Sequence, residues 1–358
     1  MIQLNASRCV RSLFVDSECN MCEVICPTKA IVIGENPLPI INFSSCVGCG
    51  ACDAICPNEA LTLDDFSATD FFFTFVESDE NLISCRKNVP CIASLNIENI
   101  ISMAVLKKDI VFDMGHCDGC SIASTCRPQI EKNYEEATYM LEAMESDAVI
   151  KLENIKYERK KPKDEISNIR EFFAKTKHEF EKEILQATDE LVKHTLEKAD
   201  IRLLKQKRIT DRRKLFFAAI KHVEKPSQFH IVEADEISFT SQKLMDEQAC
   251  TACQKCYRIC PTGALTSDIK NSKIDFDPFL CIKCNLCHDV CEPDAITLSP
   301  SYAIKEFFKP VVQNLISFAV KRCKKCHMIF STNSSEDLCY RCKAKKDSSP
   351  VNLTNPAK

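Results

Sequence analysis

Cys46-Val-Gly-Cys49-Gly-Ala-Cys52-Asp-Ala-Ile-Cys56-Pro57 decides the reading of this chain. Four cysteines stand at the spacing C-x2-C-x2-C-x3-C, and a proline follows the last. The same spacing returns at Cys250, Cys253, Cys256 and Cys260, again with Pro261 behind it, and at Cys281, Cys284, Cys287 and Cys291, where Glu292-Pro293 follows. A partial fourth copy is Cys19-Asn-Met-Cys22-Glu-Val-Ile-Cys26-Pro27. Self-similarity of this kind marks a repeated structural unit. Each run leads into a short apolar stretch with strand character: Ala30 to Ile33, Ala60 to Leu63, Ala264-Leu265 and Ala295 to Leu298. The copies fall into two pairs, in residues 1–66 and 237–300.

The rest of the composition narrows what those runs can do. The chain has 358 residues, 45% of them hydrophobic, with 25 Cys, 6 Gly and no Trp. In a small secreted protein that many cysteines would suggest a disulfide framework. Here they cluster as C-x2-C before proline, which reads as metal ligation. Met1 to Val15 shows no apolar signal-peptide core, and no apolar run approaches the roughly 18 residues of a membrane-spanning helix. A cytoplasmic location, in a reducing compartment, is the expectation. The formal charge is −4 and no lysine stripe with interleaved aromatics appears, so nucleic acid is not expected as a partner.

The paired runs resemble bacterial two-[4Fe–4S] ferredoxins. Three cysteines at i, i+3 and i+6 wrap one loop around a cubane, and the fourth, before proline, turns away to ligate the other cluster. The resemblance implies one cluster on Cys250, Cys253, Cys256 and Cys291, and another on Cys281, Cys284, Cys287 and Cys260. It implies a third on Cys46, Cys49, Cys52 and Cys26. The fourth set departs from the pattern, because Asp16 stands where the first cysteine is expected. Cys9 is the nearest substitute, giving Cys9, Cys19, Cys22 and Cys56. Asp16 as an oxygen ligand is the rival.

The remaining cysteines are read from their placement. Phe71-Phe-Phe-Thr-Phe-Val76 has the aromatic richness of a strand, Ile97 to Lys107 has helical apolar spacing, and Ile110 to Asp113 looks like a second strand. A small βαβ unit over 67–128 follows. Both strand ends of such a unit emerge on one edge, so Cys85, Cys91, Cys117 and Cys120 can converge on a fifth [4Fe–4S] cluster or a zinc ion. A redox dithiol at Cys117-Asp-Gly-Cys120 and plain buried thiols are the alternatives. Cys126 is a spare, or replaces one of the four. Near the C-terminus, Cys323, Cys326, Cys339 and Cys342 look like a zinc ribbon. Rubredoxin-type iron would use the same thiolates, and His327 is a neighbour before it is a ligand.

Residues 129–236 read as a charged helical arm with a linker at Arg159 to Glu165 and a long amphipathic helix, or a helical hairpin, from Ile166 to Leu196. Arg212-Arg213 reads as a helix start with a solvated basic face, and His116 and His288 as exposed, idle neighbours of the cysteine sites, with tuning of a cluster's potential as the alternative. Residues 301–345 carry a helix and the ribbon, and 346–358 a polar tail expected to be disordered. The expected architecture is α+β: two dicluster ferredoxin-like modules, a βαβ cysteine module, a helical arm and a zinc-ribbon-like knuckle.

No Ser–His–Asp set, phosphate loop or dinucleotide fingerprint is present, so the chain is not expected to be an enzyme in itself. Serial clusters suit one-electron relay to or from a redox partner. The module order, with Val89-Pro-Cys91 and His116-Cys117-Asp-Gly-Cys120, is similar to iron–sulfur proteins that accompany formate dehydrogenase-type molybdenum or tungsten oxidoreductases. The alternatives are an accessory or assembly factor for an iron–sulfur or molybdenum enzyme, and a redox or iron sensor.

Overall fold

The computed structural model describes residues 1–155 and 207–347. The linker at 159–165 and the long helix expected from Ile166 to Leu196 lie outside the described residues, as does most of the tail.

The first unit opens with β1 (Ile2–Leu4) and α1 (Val10–Leu13), then α2 (Met21–Val24), β2 (Ile31–Val32), β3 (Ile40–Ile41), α3 (Ala51–Ile55) and β4 (Leu61–Leu63). β1 pairs antiparallel with β4, setting Ile2 against Leu63, and β2 with β3, setting Ile31 against Ile41. Ile2, Ile31, Ile41 and Leu61 point inward and are buried, so strand alternation alone places the two ribbons around a shared core. The strands expected after Cys26 and Cys56 are β2 and β4.

The middle unit follows with α4 (Ala68–Glu77), β5 (Leu82–Ile83), α5 (Ile97–Lys107), β6 (Asp109–Asp113), α6 (Ala123–Ala143) and β7 (Val149–Glu153). The expected strand at Phe71–Val76 is a helix instead. Ser67 caps it by accepting from the Asp70 amide, and Phe72 and Phe75 share the buried face while Phe73 is half exposed. That is a period of three to four, not two. The first strand of the βαβ unit is β5. β5, β6 and β7 form one parallel sheet in that order. Helix α5, buried on almost every side, packs between α4, α6 and the next helix. The sheet runs past the boundary set at 128. Residues 129–153 therefore complete the middle unit and do not belong to an arm.

Helix α7 (Asp211–Ile220) and β8 (Ile231–Glu233) lead into the last unit: β9 (Lys243–Met245), α8 (Lys255–Ile259), β10 (Leu265–Thr266), β11 (Lys273–Phe276), α9 (Leu286–Asp289) and β12 (Ile296–Leu298). β9 pairs with β12 and β10 with β11, all antiparallel. The order and pairing repeat those of the first unit. β13 (Ser301–Ala303) returns to β8, and after α10 (Lys305–Phe308) strand β14 (Gln313–Ser317) adds to β11. A hairpin of β15 (Ala319–Arg322) and β16 (Ile329–Thr332) precedes α11 (Tyr340–Asp347).

The solvated basic face expected at Arg212-Arg213 is absent. Both side chains are buried at the start of α7, where the three units meet. Arg213 donates to Glu98 Oε1 of the middle unit and to the carbonyls of Phe279, Phe239 and Cys281 in the last. Arg212 donates to the Ala54 and Cys56 carbonyls of the first unit and lies 3.6 Å from Glu98 Oε2. Arg208, at the N-terminal end of the same segment, pairs with Glu59 at 2.8 Å. A buried guanidinium costs several kcal/mol to desolvate, and the carbonyls and the carboxylate here offset part of that cost.

Candidate iron–sulfur and metal sites

In each terminal unit the two helices face each other and turn their cysteine loops inward. Three small cysteine-lined cavities are the result. One is lined by Cys250, Cys253, Cys256 and Cys291. A second is lined by Cys260, Cys281, Cys284 and Cys287. The third is lined by Cys26, Cys46, Cys49 and Cys52. In each, the last cysteine of one run has crossed to the other run's loop, as the sequence pattern anticipates. Most of the remaining wall surface is apolar, supplied by residues such as Leu265, Phe276, Ile296 and Leu63.

The fourth set gathers at the other end of the first unit. The charges of Cys9, Cys19 and Cys56 act on one another and on Cys22. Cys9 is buried and Asp16 is exposed, so the structure brings Cys9 to the group. Backbone amides point at the crossing cysteines: Ala30 N–H to Cys26 Sγ at 3.1 Å and Ala60 N–H to Cys56 Sγ at 3.2 Å. Ser241 Oγ lies 3.3 Å from Cys281 Sγ. Such donors stabilise negative sulfur.

Burial has its own electrostatic consequence. Desolvation pushes the Cys9 thiol up to about 11, and Cys22, Cys256 and Cys287 to about 12. Four sulfur donors gathered in one largely apolar cavity are the ligand set that a soft metal core takes. An iron–sulfur core is one, so the residues fit the group.

His288 is not a bystander. It is half-buried beside Cys287, and the buried Lys243 donates to its Nε2 at 2.7 Å. Burial, then the Lys243 charge, hold its pKa down to about 4, so it is neutral at pH 7. His116 meets Arg86 through Nδ1 at 2.8 Å.

The middle site is built at the carboxyl edge of the parallel sheet. Ser84, just after β5, donates to Asp113 Oδ2 at the end of β6 at 2.7 Å, and so ties the two loops together. Asp113 Oδ1 accepts from the Gly115 and Ile155 amides at 2.9 and 3.3 Å. Gly115 has no room for a side chain, because a Cβ there would sit 2.0 Å from the Ile155 carbonyl oxygen. Cys85 and Cys91 come from the first loop, Cys117 and Cys120 from the second. The charges of the other three all act on Cys117, so the four are neighbours at this edge.

Cys126, on α6, is buried and stands apart from that function. Its thiol neighbours both Cys49 of the first unit and Cys91 of the middle site. The neighbouring Cys126 thiol lowers Cys49 and Cys91, and Cys126 itself is raised.

At the C-terminal knuckle, the sulfurs of Cys323, Cys326, Cys339 and Cys342 all lie within 4.8 Å of one another. Cys326 Sγ is 3.6 Å from Cys339 Sγ. A tetrahedron with zinc–sulfur bonds of about 2.3 Å has edges of about 3.8 Å, so this set fits a single ion. His327 is exposed and outside the set. The ligands are local to the knuckle, yet it rests on the last unit. Asn333 donates to the Cys250 carbonyl at 2.7 Å and Ser331 to that of Asn271.

Comparison with known families bears on the two repeated units. Residues 230–296 match the 4Fe–4S dicluster domain, and residues 39–62 match the 4Fe–4S binding domain. The chain carries 4Fe–4S ferredoxin-type domains. No curated protein matches it. The ferredoxin domains support 4Fe–4S cluster binding and an iron–sulfur electron-transfer role, and the longer match spans the two cysteine-lined cavities of the last unit. No helix among the described residues is long and apolar enough to cross a membrane.

Proposed function

We propose that the chain is a polyferredoxin, a carrier that relays single electrons through four [4Fe–4S] clusters held two in each terminal ferredoxin unit. The observation that carries this reading is the crossing of Cys26, Cys56, Cys260 and Cys291 between paired runs. A crossing ligand fixes two clusters side by side on one scaffold. A bound [4Fe–4S] cluster supplies one-electron chemistry at a potential set by its surroundings.

The chain's own residues do the rest. The sixteen cysteines hold the irons, with Cys9 in the place of Asp16. Apolar walls keep water from the sulfurs, and the Ala30 and Ala60 amides and Ser241 hydroxyl favour added negative charge. Arg212 and Arg213 lock the two ferredoxin units in a fixed relation. Contact between them continues at Asp289, two residues from Cys287 and from Cys291. Its carboxylate accepts from Ser17 Oγ at 2.8 Å, beside Cys19. Nothing in these roles transforms a substrate, so the chain works with a redox enzyme.

For that partner we propose an oxidoreductase of the formate dehydrogenase type, on the module order and the His116-Cys117-Asp-Gly-Cys120 phrase. The zinc knuckle, which has no redox change of its own, is assigned to docking. Stepwise reductive titration under argon tests the carrier reading. One electron should be taken up per cluster, reversibly, and formate with catalytic enzyme should reduce the chain. Stoichiometric binding to an apo-enzyme without turnover would favour an assembly role instead.

A further inference from the structure

We propose that the two cluster sites of the last unit are unequal, and that the buried Lys243 makes the Cys260/Cys281/Cys284/Cys287 site the more readily reduced of the pair. The inference rests on reading the chain as an iron–sulfur carrier and gives that relay a downhill step.

Lys243 opens β9 and is 2% exposed. It lines the same cavity as Cys260, Cys281, Cys284 and Cys287. Its Nζ donates to His288 Nε2 at 2.7 Å. That imidazole is neutral at pH 7, so it satisfies the hydrogen bond without cancelling the charge. An ammonium taken out of water needs an anion close by. Thiolates around an iron–sulfur core supply net negative charge, and the shared cavity wall puts them beside Lys243.

Two more cations reach ligands of this site through their main chain. Lys207 Nζ donates to the carbonyls of Tyr257 and Arg258, at 3.1 and 2.7 Å, and to that of Cys260. Arg213 donates to the Cys281 carbonyl at 3.1 Å. Ser241 adds a hydroxyl 3.3 Å from Cys281 Sγ.

The Cys250/Cys253/Cys256/Cys291 site is surrounded differently. The lysine in its wall is Lys255, which is half exposed and pairs with Glu292, the residue after Cys291. The neutral Asn333 of the knuckle donates to the Cys250 carbonyl at 2.7 Å.

Reduction adds negative charge, so positive charge and hydrogen-bond donors around a cluster raise its potential. A buried, uncancelled charge counts for more than one that water screens. An electron held at the Cys250 site therefore passes to the Cys260 site. The first is oxidised and the second reduced by one electron, and no bond is made or broken. The receiving site is the one that Arg213 ties to Glu98 of the middle unit. The step thus runs from the knuckle side of the last unit toward the other units.

The test is a potentiometric EPR titration of the full chain, purified without oxygen, with iron counted in each sample. Cys284→Ser and Cys253→Ser mark which signal belongs to which site. In the parent, the Cys260 site should have the more positive midpoint. Lys243→Met should move that midpoint to a more negative value, leave the Cys250 midpoint in place and keep the iron count. Lys243→Arg, which keeps the charge, should return it most of the way. A lysine needed only for packing would not shift one midpoint at constant iron.

The reverse order of midpoints in the parent would overturn the proposal. So would an unmoved Cys260 midpoint in Lys243→Met, or equal shifts at both sites. If Lys243→Met loses its iron, Lys207→Met decides, because Lys207 is exposed. The Cys260 midpoint should again become more negative, and an unmoved one overturns the proposal. Absence of iron from both sites of the parent would instead be a failure of the carrier reading, and is distinguishable by count.

Discussion

Arg213 and Glu98 form an ion pair with both side chains almost wholly removed from water, and it joins helix α7 to helix α5. The same guanidinium holds three carbonyls of the last ferredoxin unit and its approach. Placement of the last unit against the middle unit thus draws on a side chain that ligates nothing.

Arg213→Met should therefore be costly. Removing one partner of a buried pair leaves the other uncompensated, at about 3–5 kcal/mol. Arg212 remains 3.6 Å from Glu98 and softens the loss. Arg213→Lys keeps the charge but not the planar fork, and should recover only part of the stability. The midpoint of anaerobic urea unfolding measures both. A midpoint unchanged in Arg213→Met would remove the arginine from the account.

The identity of the fourth cluster's last ligand has a direct test. Cys9→Ser should remove about four irons per chain or leave them labile to a chelator. Asp16→Ala should leave the iron count as it was, because Asp16 is exposed while Cys9 is buried with Cys19 and Cys56. The reverse result would move the ligand to Asp16.

Zinc at the knuckle should be separable from iron. A chain ending after Phe318 keeps β14 and should retain its iron while losing about one zinc. Partner binding should weaken, and reduction by a strong chemical donor should be unaffected. Loss of an EPR signal on truncation would place the knuckle in the relay.

Acid should release that zinc in a defined order. Amides of Cys339 and Cys326 hold the Cys323 thiol down to about 6, and burial raises Cys342 to about 12. At pH 7 Cys323 is already a thiolate, whereas Cys342 must give up its proton to bind. Affinity should fall about tenfold per pH unit for each proton displaced. As pH drops through about 6, Cys323 adds its own proton and the slope should steepen. Competition with a zinc chelator from pH 8 to 5 reads this out, and a flat profile would contradict it.

The cysteine spacing made the two ferredoxin units legible, since it dictates which loops wrap and which cysteine crosses, and the strands after each run followed. Helix α5 and strand β6 were legible through their apolar period. Phe71–Val76 misled because aromatic richness suggests a strand, while the deciding signals were the Ser67 cap and the Phe72–Phe75 spacing. Strand β7 was hidden behind a long charged helix. The surroundings of Arg213 and Cys126 could not be read locally. The partner of Arg213 is 115 positions away, and Cys126 neighbours a cysteine of another unit. A twin arginine looks solvated until the fold supplies a buried carboxylate.

The central claim is that both terminal units carry paired clusters serving electron transfer. The most direct measurement is iron and acid-labile sulfide per chain in anaerobic protein, with EPR after reduction. The account predicts at least about sixteen irons, matching sulfide, and spectra broadened by interaction between neighbouring reduced clusters. About eight irons or fewer after reconstitution, or clusters that accept no electrons, would contradict it.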